Sequence, residues 1–273
     1  MFEERKISPE LRKQYREKGY WKDETLLDCW DRTVEKYPDR EYVVDDRGYR
    51  YTYREMDEAA GRVASYLLWL GIRPGEVVSY QLPIWSEFAM LTIACYKIGA
   101  VAHPIAMSYE EKELARSLNV TESRCYFGPT FFYKTDYEER ILAVRDQVPL
   151  LKDVVLIDSV RERKSNVPLL REILASCEPL PKERCVHTKN GQDIAVILCT
   201  SGTTGGTKGV LLTHDNVRYS EDTFNRELGL TEEDIMFMPA PLHHATGFHH
   251  AIIAPMLHGA KVVLQQKYQC RSA

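Results

Sequence analysis

The sequence contains no apolar run long enough to cross a membrane. A membrane-spanning helix needs about 18 or more largely apolar residues in succession, and the apolar runs here are much shorter. The first residues, MFEERKISPELRKQ, are charged and lack the apolar stretch that a secretory signal requires. We therefore expect no integral membrane segment and a cytoplasmic location, and we leave peripheral membrane contact open.

A strong positive charge is also lacking. The chain has 36 Lys and Arg against 40 Asp and Glu, a formal net charge of -4. This balance gives no general attraction to nucleic acid, so we expect no nucleic-acid partner. The seven cysteines are an odd number, form no CxxC pair and in part lie within apolar runs. Such usage is typical of a reducing compartment, where cysteine acts as a small buried hydrophobe.

The composition that remains is that of an ordinary globular protein, with 273 residues, 44% hydrophobic and 28% charged. Strand patterns alternate with amphipathic helix patterns, the clearest being the helical spacing of apolar residues from Met56 to Leu68, which ends at Gly71. Helices are predicted over 8–21, 25–37, 85–98 and 138–147, and strands over 41–45, 50–53, 77–82, 101–105, 124–127 and 153–157. The alternation predicts an α/β fold of layered, largely parallel sheets with flanking helices.

The most informative stretch begins with an apolar, β-branched run, Ile194 to Cys199, that reads as a buried strand. It is followed by TSGTTGGTKG at residues 200–209 and by a second apolar run, Val210 to Leu212. Glycines let backbone N–H groups converge, the hydroxyls add donors and Lys208 adds a positive charge, which together suit a polyphosphate. A flexible Gly/Thr turn with no ligand is the alternative.

This loop does not fit the P-loop of nucleotide triphosphatases. That motif requires GxxxxGK followed by Ser or Thr and then a helix. Here Thr207 precedes Lys208, Gly209 follows it, and the residues from Val210 onward read as a strand.

The loop instead resembles the phosphate-binding signature TSGTTGxPKG of the adenylate-forming (AMP-binding) superfamily, which includes acyl-CoA synthetases, luciferases and peptide-synthetase adenylation domains. The one departure is Thr207 in place of proline, which loosens the loop but removes no donor. Three further segments resemble core motifs of this superfamily in the same order. They are YTYREM at 51–56, YKIGAV at 96–101 with Pro104, and PLHHATGF at 241–248.

Smaller features look most like the short- and medium-chain fatty acid-CoA ligases: Tyr15-Arg16 with Gly19 and Trp21, QLP at 81–83 and MPAPL at 238–242. The resemblance implies ATP-dependent activation of a carboxylic acid to acyl-AMP, followed by thioester formation with coenzyme A. ATP, coenzyme A and a small carboxylic acid are then the expected partners, and Mg2+ the expected metal ion.

The resemblance also assigns site residues. Those implied to bind the β- and γ-phosphates are Thr200, Ser201, Gly202, Thr203, Thr204, Gly205 and Lys208, with Thr200 also implied to contact Mg2+. The residues implied to be catalytic are Lys208 and His244. The substrate pocket is expected to contain His244, Gly247 and Phe248, although Phe248 could equally be a core residue.

Four histidines, His243, His244, His249 and His250, lie within eight positions. Imidazole is a common metal ligand, but no cysteine or carboxylate joins them in the sequence and adjacent residues point in different directions on a regular element. A metal site is therefore disfavoured. By resemblance His244 is the histidine of the fourth motif, at the junction of acid and AMP, and its alternative is a hydrogen-bonded core histidine.

The expected domain organisation is a single AMP-binding N-terminal domain over 1–273. It comprises a first α/β subdomain at 1–160, a mobile connection at 161–192, a phosphate-loop segment with the start of a second subdomain at 193–264, and a non-native tail at 265–273. The later motifs of the superfamily and its C-terminal lysine domain do not occur in the sequence. We therefore expect an incomplete domain that is inactive alone. A non-catalytic nucleotide-binding remnant and a ligase for aryl acids or a carrier protein stay open.

Overall fold

The computed structural model describes residues 7–200 and 208–268. The helices are α1 (Pro9–Glu17), α2 (Leu26–Lys36), α3 (Tyr53–Trp69), α4 (Glu87–Lys97), α5 (Glu111–Val120), α6 (Tyr137–Arg145), α7 (Leu170–Ser176), α8 (His214–Leu228), α9 (Ala245–Gly247) and α10 (Ala254–His258), with a π-helix over Phe248–Ile253 between the last two. The strands are β1 (Glu41–Asp45), β2 (Arg50–Thr52), β3 (Val77–Tyr80), β4 (Val101–Pro104), β5 (Cys125–Pro129), β6 (Phe131–Phe132), β7 (Thr135–Asp136), β8 (Asp153–Ile157), β9 (Ile194–Thr200), β10 (Lys208–Thr213), β11 (Ile235–Met238) and β12 (Lys261–Leu264). Among these helices, none has the length and apolarity needed to cross a bilayer.

The larger sheet has the strand order β10-β9-β4-β3-β5-β8. Its strands are parallel except β10, which pairs antiparallel with β9. Every residue of the two central strands, β3 and β4, is buried, as expected for parallel strands covered on both faces. The predicted layered α/β fold with a largely parallel sheet is therefore confirmed.

The smaller sheet, β11-β12-β1-β2, combines strands from distant parts of the chain. β1 pairs in parallel with β12, with Val43 opposite Val262, and antiparallel with β2. The expected division at residue 160 therefore does not match the sheets, since each sheet takes strands from both sides of it. Local periodicity predicts strands but carries no information about which distant strand each one pairs with.

The segment 161–192, expected to be a mobile connection, is packed against the body of the protein. It contains α7 and a 3-10 turn at Lys182–Arg184, and the buried residues of α7 are Leu170 and Ile173. Its backbone is also bound, because Leu180 donates to the Gly61 carbonyl at 3.1 Å and Val186 donates to the Lys97 carbonyl at 2.8 Å. Most of the charged residues of the segment are exposed, whereas Pro168 and Pro179 are half-buried.

Residues 265–268 of the expected non-native tail also make specific contacts. The Gln265 amide donates to the Met238 carbonyl at 3.1 Å, and the Gln266 amide donates to Asp46 at 2.8 Å. The chain after β12 is therefore bound beside the ends of β11 and β1.

Three buried aromatic side chains connect the smaller sheet to the helical segment 245–258. Trp30, Tyr42 and Tyr53 pack with ring centroids 4.8 to 5.4 Å apart. The Tyr42 hydroxyl donates to the Ile252 carbonyl at 2.9 Å, and the Tyr53 hydroxyl lies 2.8 Å from the Ala260 carbonyl. Burial of these hydroxyls is tolerated because each has a backbone acceptor.

Two glycines that end helices give a matched stability test. Gly229 and Gly259 both have positive φ, +66° and +83°, but a Cβ at Gly229 would meet no atom within 4 Å, whereas one at Gly259 would lie 2.3 Å from the Tyr37 ring. We expect Gly229→Ala to lower the free energy of unfolding by about 1 kcal/mol, the cost of left-handed backbone. Gly259→Ala should lower it by about 3 kcal/mol, because overpacking adds to that strain.

The measurement is urea unfolding of both variants and the wild type. Equal losses for the two variants would contradict the close approach of Gly259 to Tyr37.

Candidate functional site

A cavity of about 370 Å3 lies where the carboxyl ends of the two sheets meet. The larger sheet contributes residues 82–84 after β3 and Met107 and Ser108 after β4. The smaller sheet contributes residues between Pro239 and His243 after β11 and Gln266 after β12. Ligands of open α/β sheets bind in the crevice beyond the carboxyl ends of the strands. This cavity is therefore the candidate substrate site, and its volume lies in the usual range of roughly 300–1,000 Å3 for small-molecule pockets.

Several polar groups of the cavity wall are engaged in hydrogen bonds within the wall. The Gln266 side-chain oxygen accepts a hydrogen bond from the Ile84 amide at 2.6 Å. The Tyr137 hydroxyl donates to the Met107 carbonyl at 2.9 Å, while Phe132 in the β6–β7 hairpin packs edge-on against Trp85. Since these polar atoms are already bound, the lining presents mainly apolar surface.

His243 contributes an imidazole to the lining. Burial and, to a smaller extent, the neighbouring His244 together lower the pKa of His243 to about 4. The imidazole is therefore neutral at pH 7, and the cavity carries no charge from it. An uncharged, largely apolar cavity suits the organic part of a substrate better than its phosphates.

The Gly- and Thr-rich loop leaves the same edge of the larger sheet. Thr200 ends β9, Lys208 begins β10, and the two residues are paired in register, so the predicted strand, loop and second strand are confirmed at both ends of the loop. Ser201, Gly202, Thr203, Thr204 and Gly205 lie outside the described residues. β9 is the neighbour of β4, and the residues after β4 line the cavity. The two described ends of the loop and the cavity therefore lie at the same edge of the larger sheet.

Both described ends of the loop have exposed side chains, those of Thr200 and Lys208. Among the described residues, the Thr200 hydroxyl is paired with the Lys208 carbonyl at 3.5 Å, which is long for a hydrogen bond. A magnesium ion that is held mainly by phosphate oxygens and water needs only one or two protein oxygens. Thr200 fits that role. In the described ranges, no group of three His, Cys, Asp or Glu side chains is arranged to hold a metal ion without such help.

The three residues expected in the substrate pocket do not line this cavity. His244 is exposed, just before α9, with its ring centroid 4.3 Å from that of His243. Phe248 is fully buried and packs against Phe88 with ring centroids 6.4 Å apart. Gly247 is buried beneath the cavity wall. His243, which the motif did not single out, takes the lining position.

Gly247 has a steric role that explains why this position carries no side chain. A Cβ added there would lie 2.2 Å from the Pro241 carbonyl oxygen and 2.8 Å from the Leu242 Cα. The start of the helical segment therefore packs directly against the backbone of residues that line the cavity. This close approach fixes the wall from behind.

The expectation that no carboxylate joins the histidines is wrong for His249 and His250, which both contact Glu221. Glu221 on α8 is fully buried, with one oxygen 3.0 Å from His249 Nδ1 and the other 2.9 Å from His250 Nδ1. Burial raises the pKa of Glu221, but the two imidazole bonds outweigh it, so its pKa is lowered from 4.5. The expectation that adjacent histidines point apart is also wrong here. Glu221 lies 28 residues from His249, too far for local sequence reasoning to find.

Other lining residues could have been found from the sequence. Leu82 ends the segment predicted as a strand at 77–82, Met107 lies two residues after the one predicted at 101–105, and the carboxyl ends of neighbouring parallel strands share one edge. The β6–β7 hairpin carries no comparable signal, because its strands have two residues each.

Comparison with known proteins gives a consistent result. The model of the AMP-binding enzyme family matches residues 30–273. A medium-chain fatty-acid–CoA ligase from Escherichia coli (strain K12) is 41% identical over 258 residues, which cover 94% of this chain and 45% of that protein. A 2,3-dihydroxybenzoate-AMP ligase from Bacillus subtilis (strain 168) is 27% identical, covering 93% and 46%. The apo structure of MbtA from Mycobacterium smegmatis superposes with a TM-score of 0.84 at 25% identity, covering 96% and 47%. The chain spans about half the length of the curated relatives it matches.

The packing of Gly247 can be tested by adding one methyl group. Gly247→Ala should lower the free energy of unfolding by about 3 kcal/mol, because the Pro241 backbone must move to relieve the contact. Thr246→Ala, at the exposed neighbouring position, should change it by about 0.5 kcal/mol or less. Chemical denaturation checks both, and similar values for the two variants would rule out the close packing.

Proposed function

Because this chain belongs to the AMP-binding enzyme family, we propose that it forms the nucleotide- and acid-binding part of an AMP-forming acyl-CoA ligase. The observation that carries the proposal is that an uncharged cavity and both described ends of a Gly/Thr/Lys loop lie at the same sheet edge. The two parts suit the two halves of the first reaction, since one accommodates an organic acid and the other a polyphosphate. The proposed partners are ATP, a small carboxylic acid and coenzyme A, in the cytoplasm, the location that the cysteine usage favours.

In the proposed reaction a carboxylate oxygen attacks the α-phosphorus of ATP and pyrophosphate leaves. The sulfur of coenzyme A then attacks the acyl carbon, loses its proton and displaces AMP. The loop from Thr200 to Lys208 binds the β- and γ-phosphates, and the Lys208 ammonium offsets the negative charge that grows on the departing pyrophosphate. Thr200 would contribute an oxygen to bound Mg2+, which would supply further neutralisation of that charge. The remaining contribution of the chain is to align the carboxylate with the phosphorus.

His244 is proposed to lie at the junction of acid and nucleotide. Its support is position, because His244 is exposed and adjoins His243 in the cavity lining. Gly247 and Phe248 contribute to the substrate pocket from behind, since one packs on the cavity wall and the other on the core beneath it. These two residues therefore act through packing and do not contact the acid.

A medium-chain fatty acid is the proposed substrate. Its support is the apolar lining together with the similarity to a medium-chain fatty-acid–CoA ligase. A dihydroxylated aryl acid would need hydrogen-bond partners for its ring hydroxyls, and the Gln266 side-chain oxygen is already bound to Ile84. This occupied acceptor favours an aliphatic chain.

The phosphate role predicts a specific loss of nucleotide affinity. Lys208→Gln should weaken binding of ATP with Mg2+ to the 273-residue chain about tenfold, because one charge-assisted contact is lost, and should leave octanoate binding unchanged. Lys112→Gln, an exposed lysine on α5, is the matched control and should bind ATP like the wild type. Isothermal titration measures both constants, and unchanged ATP affinity in Lys208→Gln would remove the assignment.

The cavity role predicts the opposite selectivity. Met107→Trp fills part of the cavity and should weaken octanoate binding about tenfold, whereas Met107→Leu conserves volume and should have little effect. ATP binding should be unchanged in both variants. If Met107→Trp instead weakens coenzyme A and leaves octanoate unaffected, the cavity holds the thiol substrate and the acid assignment is wrong.

A further inference from the structure

A buried cluster of Glu221, His249 and His250 has no part in the proposed chemistry. The Glu221 side chain is fully buried, and each of its oxygens meets the Nδ1 atom of one imidazole. An ionised carboxylate only accepts hydrogen bonds, so both imidazoles must carry their proton on Nδ1. The carboxylate therefore fixes the orientation and the tautomer of both rings.

The π-helix allows two consecutive histidines to reach the same carboxylate. His249 and His250 are consecutive, yet both reach Glu221 from within the π-helix Phe248–Ile253. π-helical turns are rare and occur frequently at functional sites. Helix α8 also binds the helical segment 245–258 through a second hydrogen bond, which the side-chain amide of Asn225 donates to the Ala254 carbonyl at 2.8 Å.

The cluster is connected to the cavity through one turn of backbone. The Phe248 amide donates to the His244 carbonyl at 2.8 Å, and Gly247 packs against the Pro241 carbonyl with no room for a Cβ. A shift of His249 away from α8 must therefore move Gly247, and with it the wall from Pro241 to His243.

We propose that Glu221 is a positioning residue for the substrate cavity: by holding His249 and His250 it fixes the helical turn that backs the wall from Pro241 to His243. Glu221 does not contact the cavity itself. The identity of the substrate rests on the proposed function, whereas the positioning of the wall does not. Loss of the carboxylate should therefore reduce affinity for the acid while sparing the nucleotide.

The first test compares two variants of α8 that each lose a bond to the helical segment. Glu221→Gln keeps the size of the side chain, but its amide nitrogen only donates, so one imidazole loses its bond to a charged acceptor and can pair only in the other tautomer. We expect octanoate affinity to fall about tenfold, the equivalent of one hydrogen bond to a charged group, with ATP affinity unchanged. Asn225→Ala is the control and should lower Tm without changing the ratio of the two affinities. Equal weakening of both ligands in Glu221→Gln, or the same ratio change in Asn225→Ala, would overturn the proposal.

The second test needs no ligand. Imidazole 15N shifts should report the Nδ1–H tautomer for both rings in the wild type and a mixture in Glu221→Gln. Amide hydrogen exchange across residues 241–248 should accelerate about tenfold in that variant and not in Asn225→Ala. Unchanged exchange across this segment would overturn the positioning role.

The two tests separate the two hypotheses. If the wild type binds no octanoate, the proposed substrate fails, and hydrogen exchange still decides the role of Glu221. If Glu221→Gln does not fold, His250→Phe gives the same comparison, because the new ring retains the stacking on Phe224 and loses only one bond to Glu221.

Discussion

The parallel pairing of β1 with β12 is the constraint on which the rest of the structure depends. It places Val43 opposite Val262, and β2 and β11 are attached to the sheet through these two strands. The residues that follow β11 and β12 form one wall of the candidate site, and those that follow β3 and β4 form the opposite wall. Without this pairing, no surface would face the carboxyl edge of the larger sheet. The aromatic cluster of Trp30, Tyr42 and Tyr53 strengthens the pairing, since its hydroxyls bind the chain that connects β11 to β12.

The candidate site has two regions that differ in charge and in burial. The loop that ends at Lys208 offers positive charge at an exposed edge, whereas the cavity beside it contains His243 in its neutral form. In the proposed reaction, these two regions would bind the charged and the apolar parts of the reactants. Burial separates the two environments, because it keeps the His243 imidazole uncharged while Lys208 stays in contact with water.

What the sequence predicts well is what depends on neighbours in the chain. The strands at 77–82 and 153–157, the helix ending at Gly71 and the two strands flanking residues 201–207 follow from local periodicity and turn chemistry. The role of Gly247 does not, because it depends on the position of the Pro241 carbonyl. The contact of Glu221 with two histidines depends on how α8 packs on a π-helix, and no spacing rule predicts it. The fourth motif covers residues 241–248, and the structure places His243 of this segment in the cavity lining.

The pairing of β1 with β12 also has a consequence for the order in which the chain is made. Glu41 and Lys261, an ion pair across these strands, are 220 residues apart. At a synthesis rate of about 5–20 residues per second, β1 leaves the ribosome roughly 10–40 s before its partner exists. The last strand of the larger sheet ends earlier, at residue 213. The larger sheet can therefore assemble before β12 has been synthesised to pair with β1. During that interval β1 has β2 on one edge, but its other edge has no permanent partner. Protection of that edge from aggregation must come from transient burial or from a chaperone.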